Sequence, residues 1–96
     1  MMAKHPLDPI KKPLNKYEIA QALRYAIIAE LDAINMYLQI AEAIEDEKIK
    51  EVFRDIAREE KTHFGEFLTV LKELDPELAE EIKKGEEEVA EIFEQD

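Results

Sequence analysis

Between Ile19 and Ile44 the apolar residues recur at steps of three and four: Ile19, Leu23, Ala26, Ile27, Ala33, Ile34, Tyr37, Ala41 and Ile44. That spacing lines one face of an α-helix and leaves charged residues on the others. Asn15 and Glu18 have the offset of a capping box, so the helix is predicted to start at Lys16. A second stripe follows at Ile49, Val52, Phe53, Ile56, Ala57, Phe64, Phe67, Leu71 and Leu74, after the charged run Glu45-Asp46-Glu47-Lys48. No Gly or Pro separates the two stripes, and a single helix from 16 to 74 is the rival reading. On a continuous helix, however, Glu30 and Glu60 lie 30 positions and hence about 120° apart, and the stripes could not share a face. A turn near Asp46 lets them meet as an antiparallel hairpin. Asp75-Pro76 then restarts the chain, with Asp as N-cap and Pro as first helical residue. Leu78, Ile82, Val89, Ile92 and Phe93 give a third helix a thinner stripe, interrupted by Gly85.

The expected fold class is therefore all-α: a two-helix hairpin plus a short C-terminal helix, with helices at about 16–44, 47–74 and 76–93. An N-terminal arm over 1–14 carries three prolines and precedes a helical domain over 15–96. A hairpin has one inner face, yet Tyr25, Ile28, Leu31 and Leu38 form a further apolar strip on the first helix, which predicts contacts with other subunits.

Composition narrows the chemistry. The 96 residues contain no Cys, which removes disulfides, zinc–thiolate sites, iron–sulfur clusters and an in-chain rubredoxin. A formal net charge of −11 opposes nucleic acid as a partner and attracts cations. No apolar run approaches the ~20 residues of a membrane span, and a cytoplasmic setting is expected.

Chemistry enters where the stripes are broken. Glu30 falls inside the first stripe, three after Ile27 and four before Ile34, where an unpaired carboxylate is costly. Glu60 and His63 interrupt the second stripe as an ExxH sequence, three apart on one face. Glu30 stands 16 positions before Asp46 and Glu60 14 after it, so the hairpin brings them to similar height. A di-iron carboxylate site in a four-helix bundle takes one Glu from each of two helices and a Glu-x-x-His from each of the others. One hairpin supplies half of that set, and two related by a two-fold axis supply all of it. Carboxylates with imidazole suit Fe, Mn or Zn, a bridged pair favours redox-active Fe or Mn, and iron is the preferred expectation, with two ions per dimer.

The stretch Ala26 to Leu74 carries a resemblance, chiefly in Ala29-Glu30-Leu31-Asp32-Ala33-Ile34-Asn35-Met36-Tyr37 and Ala57-Arg58-Glu59-Glu60-Lys61-Thr62-His63. It looks like the encapsulated ferritins and, more distantly, the rubrerythrins. The resemblance implies a homodimer that completes a ferroxidase centre, dimers assembled into a ring, typically a decamer, and confinement with an encapsulin shell protein in a nanocompartment. It implies Fe(II) and O2 as reactants, Glu30, Glu60 and His63 as ligands, and Tyr37 as the tyrosine near the metals. Two features depart from the family pattern. The acidic pair where iron arrives appears here as Ala29 and Asp32. In place of the short apolar targeting peptide usual in members without a fused shell domain stands Glu91-Ile92-Phe93-Glu94-Gln95-Asp96. Two other functions fit the same residues: a metal-independent helical oligomerisation module, and a rubrerythrin-like peroxide reductase served by an external electron donor.

Overall fold

The computed structural model describes residues 13–95; the arm expected over 1–14, with His5, lies outside them up to residue 12. Three helices follow in order, α1 (Lys16–Ala43), α2 (Glu47–Leu74) and α3 (Pro76–Glu94), and among the described residues there is no strand. The chain is all-α.

Each helix starts where a side chain satisfies backbone amides that have no partner within the helix. The Asn15 side chain accepts from the Glu18 amide at 2.8 Å, and the Glu18 carboxylate accepts from the Asn15 amide at 3.0 Å, completing the capping box. Asp46 caps α2 by accepting from the amides of Lys48 and Ile49 at 2.9 and 3.1 Å. That local alternative to helix ends the first stripe: Ile44 is extended, and only Ile44, Glu45 and Asp46 separate α1 from α2. So short a connection forces neighbouring, antiparallel helices. The cross-helix pairs agree: Arg24 reaches Asp75, Glu30 reaches His63, and Tyr37 meets Phe53, so partner numbers fall as those on α1 rise.

Asp75 both ends α2 and begins α3. Its amide donates to the Leu71 carbonyl at 2.8 Å, while its carboxylate accepts from the Leu78 amide at 3.0 Å, with Pro76 in the first turn of α3. One residue between two helices leaves no linker to swing. Among the described residues α3 packs only against α2.

This packing buries little. The buried apolar residues are Ala20, Ala41, Ala57 and Leu71, and α3 has none. Ala20 and Ala41 of α1 and Ala57 of α2 are buried between the helices, but the large apolar side chains beside them stay half covered. The Cα radius of gyration is 17.4 Å, against about 13 Å for a compact domain of 100 residues. On α2 the wide stripe divides in two. Phe53, Ala57, Phe64 and Leu71 turn toward α1, whereas Ile49, Val52 and Val70 remain exposed. A two-helix layer uses one side of each helix and presents the rest to whatever covers it.

Candidate metal centre

Glu30 lies midway along α1, and Glu60 and His63 lie one turn apart midway along α2. Their ligand atoms lie within 4.8 Å of one another. His63 presents Nδ1 to both carboxylates, 3.2 Å from Glu30 Oε2 and 3.4 Å from Glu60 Oε1. Two donors each about 2.1 Å from one ion are about 3.0–3.4 Å apart at neighbouring octahedral or tetrahedral positions. The spacing therefore suits a shared divalent cation, and the donor set is the hard oxygen plus imidazole mixture that first-row metals accept.

Electrostatics point the same way. The two glutamate side chains are 16% and 18% exposed, and the His63 side chain is 48% exposed. Glu30 has its carboxyl pKa raised, first by a hydrogen bond with the Glu60 side chain, next by desolvation and by the Glu60 charge. His63 opposes that shift through its charge and its own hydrogen bond. Two carboxylates in one small volume cannot both be comfortably ionised without a cation, and a proton is the one available in metal-free protein.

The cluster is open on one side. Along α2, Val52, His63 and Val70 fall within about 20° of one another, because intervals of eleven and seven residues are close to whole turns. His63 thus stands in the middle of the exposed apolar band of α2. Tyr37 is placed differently. It lies seven residues after Glu30, about 10 Å further along α1, and its ring packs on Phe53 with centroids 6.2 Å apart. Tyr37 shares the face of Glu30 but does not belong to the three-residue cluster. Asp32 and Ala29 are exposed on α1. The Arg24–Asp75 bridge and the division of the α2 stripe went unforeseen; the extra width of that stripe, beyond what one partner helix covers, was the available signal.

Known proteins resemble this chain in sequence and fold. A family model described as Rubrerythrin matches residues 21–95. A ferritin-like–encapsulin shell fusion protein from Pyrococcus furiosus is 54% identical over 81 residues, 84% of this chain and 24% of that protein. The encapsulin nanocompartment cargo protein EncC from Myxococcus xanthus is 36% identical over 81 residues, again 84% of this chain and 61% of the relative. The chain therefore spans about a quarter and about three fifths of the lengths of these two relatives. A crystal structure of the encapsulated ferritin domain from Pyrococcus furiosus aligns with a TM-score of 0.83 at 49% identity, covering 95% of this chain and 93% of that one. With a matching family model over most of its length and a helical hairpin that assembles the Glu–Glu–His cluster, the chain belongs to the rubrerythrin family and is similar within it to the encapsulated ferritins.

Proposed function

We propose that the chain is a ferroxidase subunit: two copies pair about a two-fold axis, and Glu30, Glu60 and His63 of each bind Fe(II) for oxidation by O2. The observation that carries this reading is His63 Nδ1 at 3.2 and 3.4 Å from carboxylates on both helices, at the centre of an exposed apolar band. A second hairpin laid on that band makes four helices and doubles the donor set, as the di-iron pattern requires.

The charges balance. Four carboxylates, two per copy, carry four negative charges, matched by two Fe(II). Each Fe(II) gives up one electron, and two together reduce one O2 to peroxide with uptake of two protons. The chain's part is to hold the reactants close in a site whose acidity favours the ferric product. The raised Glu30 pKa, caused first by its hydrogen bond with Glu60, favours the protonated form in metal-free protein, and a cation bound there would displace that proton. The half-exposed His63 ring is oriented by the two carboxylates, and the partner's apolar band would remove water from that side. Tyr37, on the face of Glu30 about 10 Å along α1 and packed on Phe53, is proposed as a redox-active side chain near the iron.

The relatives named for an encapsulin shell and for its cargo support a place for this chain inside such a compartment, where oxidised iron would be stored. The test is aerobic Fe(II) oxidation followed by absorbance, with bound iron and mass measured on the same sample. The expected result is fast oxidation with two irons per two chains. Glu30→Ala and His63→Ala are each expected to slow it by well over tenfold, since even outer partners of metal ligands typically cost about 10–100-fold. Parent-like rates in both variants would leave a helical assembly module without iron chemistry.

A further inference from the structure

Neither the hairpin contact nor the open side of the cluster accounts for the far side of α1. Gln21, Tyr25, Ile28 and Asp32 follow one another at steps of four, three and four. Each lies about 140–180° around α1 from Glu30, which faces α2, so together they form a lane along the side remote from α2. Among the described residues α1 packs only on α2, and α3 does not lie over this lane. Ile28 is 61% exposed, and Gln21, Arg24, Tyr25 and Ile28 line a shallow depression of about 220 Å³. Gln21 and Tyr25 are half-buried although they point away from α2. The depression is a seat, and the chemistry of its occupant can be read from the chain itself.

The segment that enters α1 reads Lys4-His5-Pro6-Leu7-Asp8-Pro9-Ile10-Lys11-Lys12-Pro13. Proline sets its own φ near about −65° and biases the residue before it toward extended backbone, so His5, Asp8 and Lys12 are constrained with the three prolines. The sequence therefore favours a polyproline helix. With three residues per turn, such a helix puts Lys4, Leu7, Ile10 and Pro13 on one face. At about 3.1 Å per residue, Lys4 to Pro13 covers about 28 Å, close to the roughly 24 Å from Lys16 to Asp32 along α1. Folded back beside α1, the segment brings Ile10 level with Gln21 and Tyr25, and Leu7 level with Ile28.

We infer that the N-terminal arm docks as a strap along the far side of its own α1, seating Ile10 and Leu7 over the depression lined by Gln21, Tyr25 and Ile28. Charge fixes the register and the occupant. The arm carries three Lys and one Asp in a chain of formal net charge −11. The charged side chains along the lane are Glu18 near the start of α1, Arg24 at one flank and Asp32 at the far end. In the register set by the two apolar residues, Lys11 and Lys12 fall beside Glu18, Asp8 beside Arg24 and Lys4 beside Asp32. Every arm Lys or Asp meets its opposite, while exposed pairs of this kind add little energy and serve to exclude other registers. Burial of Leu7 and Ile10 supplies the attraction, and a tether of a few residues makes docking on the same chain far more probable than docking on a neighbour. The strap leaves the open side of the cluster clear and does not depend on iron chemistry.

Because the chain has no Cys, paired cysteines report the contact in the full-length protein with chelator present. Leu7→Cys/Ile28→Cys is compared with Leu7→Cys/Lys72→Cys, where Lys72 is exposed on the adjoining end of α2 and an undocked arm would reach it as readily. In oxidised glutathione the first pair is expected to close about tenfold faster, because docking raises the local concentration of its two thiols. The product should have the mass of one chain under denaturing, non-reducing conditions. Equal rates for the two pairs would overturn the inference, and so would a bond between chains, which would place the arm on a neighbouring copy. A second measurement leaves the arm unaltered. Trypsin cleavage after Lys4 and Lys11 should quicken severalfold in Ile28→Glu, a change at an exposed position, while helix content stays that of the parent. Cleavage as slow in Ile28→Glu as in the parent would likewise overturn the strap.

Discussion

His63 stands with one nitrogen facing two carboxylates, and the protonation of that group carries a prediction about stability. The Glu30 carboxyl is held above its ordinary range by its hydrogen bond with Glu60, by burial and by the Glu60 charge. Between the unfolded and folded pKa values of this group, the folded, metal-free protein binds more protons than the unfolded chain. A group whose pKa is raised on folding contributes stability that is fully present below its unfolded pKa and is lost as pH rises through the folded value. Metal-free parent treated with chelator should lose stability as pH rises above the ordinary glutamate range relative to Glu30→Gln, whose amide does not titrate. A divalent cation takes the place of the proton, so its binding should tighten with rising pH over the same interval. Thermal unfolding of both proteins across pH, with and without Mn(II), checks both signs. Identical pH dependence of parent and Glu30→Gln would show that the two carboxylates do not share a proton.

At the scale of the helices, the connection between α1 and α2 rests on one residue. Asp46 accepts from two amides at the start of α2, and only two residues intervene between it and the end of α1. Asp46→Ala should lower stability by about 1 kcal/mol, the usual cost of losing an N-cap, while iron-saturated turnover stays near the parent's. Chemical denaturation beside the oxidation assay separates the two effects, and a variant of undiminished stability would show that the turn is fixed elsewhere. The caps were legible in the sequence because they are local: Asn15 with Glu18, Asp46, and Asp75 with Pro76 each satisfy amides within a few residues. The cluster was legible too, because Glu30, Glu60 and His63 interrupt apolar stripes at positions that the hairpin brings level. The Arg24–Asp75 bridge was not, since a polar pair 51 residues apart has no periodic signature. Nor was the division of the α2 stripe, because periodicity marks a face as apolar without saying which part a neighbour in the same chain will cover. On the opposite face of α2, Arg54 and Arg58 alternate with Glu47, Glu51 and Asp55 in exposed ion pairs of 2.9–3.8 Å, each contributing little to stability.

For the whole molecule the question is why the chain leaves so much apolar surface uncovered around a cluster of acids. A hairpin whose buried residues are three alanines and a leucine gains little from its own core, so its stability is expected to depend on association. Association through the Val52–His63–Val70 band would bring the carboxylates of two copies together, which opposes it until cations arrive. Metal and dimer should therefore be linked. Mn(II) at about one hundred times its dissociation constant should stabilise the parent assembly by about 2.7 kcal/mol, and chelation should reverse the gain. Val52→Glu, which adds a charge to the open band away from the ligands, should weaken dimerisation and iron oxidation together. Glu30→Leu separates metal linkage from plain apolar contact. Replacing a half-buried acid with an apolar side chain should strengthen the metal-free assembly, as replacing buried charges often does, while abolishing the gain from Mn(II). A metal-independent module predicts the first effect but no response to Mn(II) in either protein. Solution mass and unfolding measured on parent and Glu30→Leu, each with Mn(II) and with chelator, form a double-mutant cycle in which one corner is the metal; its coupling energy is zero for the module and of the size of the metal stabilisation for the di-iron dimer.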